Sequence, residues 1–63
     1  MALHQPAFGR DLNQWRVRED VTRWDVQQET GISERRLEQL ESGVREPTAG
    51  ELAVVSELLA ESA

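Results

Sequence analysis

The middle of the chain carries two short helix-forming stretches, each bounded by a capping residue and a glycine. Thr22 can cap a first helix, with Asp25 three residues later as the reciprocal capping acid. Gly31 can end that helix in a left-handed conformation, and Ser33 and Gly43 can bound a second helix in the same way. Because so few residues separate Gly31 from Ser33, the two predicted helices must be joined by one tight turn and cross at a steep angle.

Apolar spacing predicts which sides of these helices face inward. Leu37 and Leu40 lie three residues apart and therefore share a face, which we expect to meet Val26 and Ile32 in the interior. The outward positions of the second helix are then polar, and they are Glu34, Arg35, Arg36, Glu38 and Gln39.

Two further helices are predicted on either side of this unit. The first runs from about Ala7 to Glu19, and the last runs from about Thr48 to Glu61. Strand-like alternation is absent, so the predicted class is all-α. The apolar positions of these two helices are Phe8, Leu12, Trp15, Leu52, Val55, Leu58 and Leu59.

Length and composition predict a single domain without catalytic chemistry. The chain has 63 residues, no cysteine and one histidine, His4, so no nucleophilic, metal or cofactor site is expected. No apolar run approaches the roughly 20 residues of a membrane span, which predicts a cytoplasmic protein. Residues 1–6 are expected to be flexible.

The whole pattern resembles the Cro and lambda-repressor type of helix-turn-helix protein, with the motif at residues 22–42. The resemblance runs from about Phe8 to about Leu59 and is specific as a set rather than at any single position. It implies a compact domain of four to five helices that binds double-stranded DNA. The residues that carry it are Phe8, Gly9, Leu12, Trp15, Arg16, Val21, Thr22, Gly31, Ile32, Ser33, Leu37, Leu40, Glu41, Gly43, Arg45, Pro47, Thr48, Leu52, Val55 and Leu59.

The resemblance also implies roles for individual residues. In this family the second helix of the motif enters the major groove, where Arg35, Arg36 and Gln39 would read bases. Arg23 and Arg45 would hold phosphates. The remaining candidate DNA contacts are Ser33, Glu34 and Glu38.

Each of these side chains also has a plainer interpretation. The arginines of the second helix could decorate a solvated face, although their place in the motif favours DNA contact. Glu34 and Glu38 could pair with those arginines or with Ser33, or could accept a hydrogen bond from cytosine. Gln39 suits adenine but is equally an ordinary helix former.

A structural ion pair is implied by the same resemblance. Family members carry Arg and Glu at the positions of Arg16 and Glu41, where the two side chains form a half-buried pair. That pair joins the first helix to the end of the third. We therefore expect Arg16 and Glu41 to hold the fold together rather than to bind a ligand.

Charge leaves two functional hypotheses open. The formal net charge is −5, and all of the excess lies after Arg36, where Arg45 faces six glutamates. The first hypothesis is a phage or mobile-element repressor that binds an inverted-repeat operator as a homodimer, with Val54 and Leu58 at the dimer surface. The second is an acidic protein-interaction module, antitoxin-like or partner-binding, that uses the C-terminal helix and the outward Trp24.

Overall fold

The computed structural model describes residues 6–61, and these residues form four helices. Their bounds are Pro6–Glu19 for α1, Arg23–Thr30 for α2, Glu34–Ser42 for α3 and Ala49–Glu61 for α4. No strand occurs within this range, which confirms the all-α class. None of the four helices is long and apolar enough to cross a membrane. The flexibility expected before Pro6 concerns residues outside the described range.

The caps predicted around α2 and α3 are all present. The Thr22 hydroxyl accepts from the Asp25 backbone N–H at 3.0 Å, and the Asp25 carboxylate accepts from the Thr22 N–H at 3.1 Å. The Ser33 hydroxyl caps α3 by accepting from the Arg36 backbone N–H at 3.1 Å. Gly31 and Gly43 end the two helices at φ 81° and 83°, a region that only glycine enters without strain. The three-residue connection between α2 and α3 is thus fixed at both ends by local chemistry.

The core lies where the apolar pattern predicts it. Packing is formed chiefly by α3 against α1 and α2, with α4 covering α1. Val54 and Leu58, which we expected to be exposed on α4, are instead half-buried against this core. The buried apolar side chains of the described residues are Leu12, Trp15, Val26, Ile32, Leu37, Leu40 and Val55.

Gly9 allows α1 and α3 to approach very closely. A Cβ at this position would lie 2.9 Å from the Cα of Glu41 and would collide with the Leu40 carbonyl oxygen. Both obstacles are backbone atoms of a helix and cannot rotate away. The absence of a side chain at Gly9 therefore sets the distance between the two helices.

We predict that Gly9→Ala destabilises the protein by about 1 to 3 kcal/mol, the usual cost of overpacking a tight contact. Gly50→Ala is the matched control, because a Cβ there meets nothing closer than the Thr48 hydroxyl at 3.9 Å. The control should leave stability unchanged or raise it by up to about 1 kcal/mol through helix propensity. Urea unfolding followed by circular dichroism measures both, and equal effects of the two substitutions would contradict the close approach.

Candidate nucleic-acid interface

The position of α3 relative to α2 is fixed by a side chain that reaches across the turn. Gln27 in α2 accepts a hydrogen bond at its Oε1 from the backbone N–H of Glu34, at 2.9 Å. This N–H belongs to the first residue of α3 and has no partner within the helix. Gln27 and Ser33 accept hydrogen bonds from two of the backbone N–H groups at the start of α3. The bond to Gln27 holds the first turn of α3 next to α2.

The first turn of α3 presents a polar, exposed surface. Ser33, Glu34, Arg35 and Glu38 are all exposed, while Leu37 turns the opposite side into the core. Arg35 makes no ion pair with any residue in the range 6–61. Its guanidinium is therefore available to a ligand.

Arg36 lies on a different side of α3 from the one predicted. Its Nε and Nη2 atoms each donate to the Glu51 carboxylate at 2.9 Å, and Nη2 also donates to the Glu46 carbonyl at 3.0 Å. The outward position expected for Arg36 is therefore corrected, because the start of α4 passes close enough to engage it. The hydrogen bond from Arg36 is the main reason that the pKa of Glu51 lies below its ordinary value.

Glu51 has a second role at the start of α4. Its carboxylate accepts from the Thr48 backbone N–H at 2.8 Å, and the Thr48 hydroxyl accepts from the Glu51 N–H at 3.1 Å. These reciprocal bonds form a capping box. Arg36 thus links α3 to the carboxylate that caps the N-terminus of α4. This contact indicates a structural role for Arg36.

The predicted pair between Arg16 and Glu41 is present and is part of a larger cluster. Arg16 donates from Nε and Nη2 to the two carboxylate oxygens of Glu41 at 2.7 and 2.8 Å. Asn13 and Arg23 each donate to Oε1 of the same carboxylate at 3.1 Å. Burial opposes ionisation of Glu41, but these hydrogen bonds and the two positive charges outweigh it and lower its pKa.

Arg23 is held by this cluster at one end of α2. Its side chain remains 37% exposed, whereas those of Arg16 and Glu41 are 12% and 4% exposed. Two guanidinium groups share one carboxylate here, so the cluster keeps one net positive charge. Arg23 is where that charge comes closest to solvent, beside a shallow hollow that Thr22 and Glu34 also line.

Arg45 shares a cleft with Arg10, an arginine that no sequence motif marks. Arg10 of α1 and Arg45 of the loop after α3 both line a small cleft of about 150 Å³. Both side chains are exposed, and neither forms an ion pair within residues 6–61. No local signal marks Arg10, because its nearness to Arg45 depends on how α1 lies against the end of α3.

The remaining candidates make few contacts of their own. Glu34 and Glu38 form no ion pair with either arginine of α3 within the described range. The side chain of Gln39 is half-buried, and the backbone carbonyl of Gln39 accepts from the N–H groups of Val44 and Arg45 in the turn after α3. The exposed surface of α3 therefore offers one free guanidinium between two carboxylates.

Function has to be inferred from these residues themselves. No protein-family model matches the chain, and neither a curated protein nor a solved structure is significantly similar to it. Within residues 6–61, no group of three or more His, Cys, Asp or Glu side chains is arranged to hold a metal ion. The features that bear on nucleic-acid binding are the surface of α3 and the distribution of charge around it.

We predict that Glu41→Gln lowers the free energy of unfolding by roughly 1.5 to 3 kcal/mol at neutral pH, the usual worth of hydrogen bonds to charged groups. The pKa of Glu41 is depressed in the folded state, so its contribution is complete above the ordinary value of 4.5. It is lost as pH falls through the lower folded-state pKa, and the two proteins should then converge. Thermal unfolding across the pH range measures this. Glu38→Gln, an exposed change on the same helix, should leave the curve unaltered at neutral pH.

We also predict opposite roles for the two neighbouring arginines of α3. Arg36→Ala should lower Tm, because Glu51 loses its ion-pair partner and the link from α3 to α4 is broken. Arg35→Ala should leave Tm unchanged, since the side chain is exposed and forms no ion pair within the described residues. Differential scanning calorimetry of the two variants tests this contrast, and equal Tm values would contradict the structural role of Arg36.

Proposed function

We propose that this chain is a sequence-specific DNA-binding transcriptional regulator that uses α2 and α3 as a helix-turn-helix. In this proposal it is a Cro-like repressor of phage or mobile-element type, acting in the cytoplasm and on the nucleoid. Two copies occupy an inverted-repeat operator and exclude RNA polymerase. No enzymatic step or cofactor is part of the proposed function.

The observation that carries the proposal is the way α3 is presented. A three-residue turn and the Gln27 side chain fix α3 against α2, with its apolar side buried and its first turn exposed. A short helix held in this manner can enter the major groove of DNA, where its N-terminal residues reach base edges. The positive end of the helix dipole also faces the phosphates in this orientation.

The free arginines supply the chemistry for this contact. Arg35 can donate two hydrogen bonds to guanine O6 and N7, and Glu38 can accept from the amino group of cytosine. Arg23 and Arg45 are placed in the proposal as phosphate ligands, and Arg10 joins them as a third. Arg36 is assigned to structure, so base reading depends mainly on Arg35.

Net acidity limits how strongly the protein can hold DNA. Three phosphate contacts per protomer predict a slope of about −3 for log K against log salt concentration. Non-specific binding should therefore be weak at physiological salt. A homodimer doubles the number of contacts and sets two half-sites about one helical turn apart, which accords with an inverted-repeat operator.

The proposal is tested by selecting ligands from random duplex DNA at low and moderate salt. We expect enrichment of a short inverted repeat that contains a guanine read by Arg35. Arg35→Ala should weaken binding to that sequence by about 10- to 100-fold and relax specificity at one position of each half-site. Arg18→Ala is the matched control, because Arg18 is exposed near the end of α1 and its guanidinium donates to the neighbouring Glu19 carboxylate rather than lying near α3.

The phosphate contacts have a different signature. Arg45→Ala should weaken binding to all sequences alike and reduce the salt slope by about 1 per protomer. Failure to enrich any sequence would overturn the proposal. Indifference of the enriched binding to Arg35→Ala would also overturn the assignment of α3 as the reading helix.

A further inference from the structure

A groove whose larger part has a mainly apolar lining runs between α2 and α4. It consists of two adjoining hollows that share Glu29 and Leu58, the larger of about 350 Å³. The apolar lining comes from the core and from the inner side of α4, and it consists of Trp15, Val21, Val26, Val54 and Leu58. None of the residues that define the DNA-reading surface proposed above contributes to it.

An exposed tryptophan borders the larger hollow. Trp24 is 55% exposed, which makes it the largest apolar side chain at the surface of the described residues. Tryptophan is one of the residue types enriched among the side chains that dominate the binding energy of protein interfaces. A partner side chain that enters this hollow can pack against the Trp24 ring and against the apolar side chains that line the hollow.

The charged side chains at the rim of the groove are all acidic. Four carboxylates line the two hollows, and no arginine does. None of the four forms an ion pair within residues 6–61. These residues are Asp25, Glu29, Glu57 and Glu61. Their uncompensated charge repels anionic surfaces, so nucleic acid and acidic lipid are poor occupants.

A second copy of the chain does not complement this rim. Among the described residues, the arginines without an ion pair are Arg10, Arg35 and Arg45, and they lie on three different elements. They cannot form a row of positive charges along one helix. A partner that fits must carry an apolar stripe flanked by several cations.

We propose that the groove between α2 and α4 docks a basic amphipathic helix of another protein, with Trp24 as the apolar anchor. The apolar side of that helix packs on the apolar lining, and its Lys or Arg residues pair with the rim. The groove and the first turn of α3 share no lining residue, so this interaction is independent of the proposed DNA binding. Its failure and that of the DNA proposal are measured separately.

A synthetic peptide provides the probe. It has about two heptads of helix-forming sequence, with leucines on one face and lysines on the other. Two matched peptides replace either the leucines by serines or the lysines by glutamates. Titration against the full chain, followed by calorimetry and tryptophan fluorescence, should give a Kd for the basic amphipathic peptide at least about tenfold lower than for either control.

Charge-reversal variants place the peptide on the groove. Glu29→Lys combined with Glu57→Lys should weaken binding by at least about tenfold and permit binding of the acidic amphipathic peptide. Glu38→Lys combined with Glu46→Lys makes the same change in net charge away from the groove, and should change Kd by no more than about threefold. Trp24→Ala should also weaken binding by about tenfold or more. Circular dichroism confirms that each variant remains folded.

Several outcomes would overturn the proposal. If the serine peptide binds as tightly as the leucine peptide, or if the two charge-reversal pairs have equal effects, binding is non-specific electrostatic attraction and not docking in the groove. Dimerisation in sedimentation that Trp24→Ala abolishes would assign the groove to a second copy. Arg35→Ala should leave peptide binding intact, so a loss there would mean that the peptide binds the surface of α3 instead.

Discussion

The carboxylate of Glu41 is the point at which three helices meet. It accepts hydrogen bonds from Asn13 and Arg16 of α1 and from Arg23 of α2, while it belongs to α3 itself. A buried Glu41 carboxylate without these donors would raise the free energy of the folded state, and so would a buried Arg16 guanidinium without the carboxylate. The cluster is therefore stable only when all three helices are in place. The orientation of α3 therefore depends on an interaction within the domain. Because α3 is held in this way, the position of its exposed first turn is fixed as well.

The parts of the fold that follow local rules could be predicted from the sequence. Caps at Thr22 and Ser33 and left-handed glycines depend on neighbouring residues, and apolar spacing depends only on helical periodicity. The Arg16–Glu41 pair joins residues 25 positions apart, so it could be predicted only by analogy with a known family and not from local pattern. The pair between Arg36 and Glu51 could not be predicted, because the two residues lie fifteen positions apart and their contact depends on the path of the loop before α4. The same reason applies to Gln27, whose cap on α3 requires the exact geometry of the turn.

The positions of the individual carboxylates in the fold are more informative than the net charge of the chain. Glu41 pairs with Arg16 and Arg23, and Glu51 pairs with Arg36, so these two carboxylates engage three of the arginines within the domain. Of the acids that form no ion pair within residues 6–61, four line the groove between α2 and α4, whereas Glu34 and Glu38 lie on the exposed surface of α3. A net charge of −5 thus combines two different regions, and neither the DNA proposal nor the partner proposal can be judged from the total alone.

The pairing of Arg36 with Glu51 also determines how freely α3 can change. Substitution at position 36 disturbs the link to α4, whereas positions 34, 35 and 38 are exposed and form no ion pairs within the described residues. Mutational drift, or a designed library, can therefore explore three positions on this helix with little cost in stability. A new binding preference would be reached by varying those three side chains, with residue 36 kept constant as part of the scaffold.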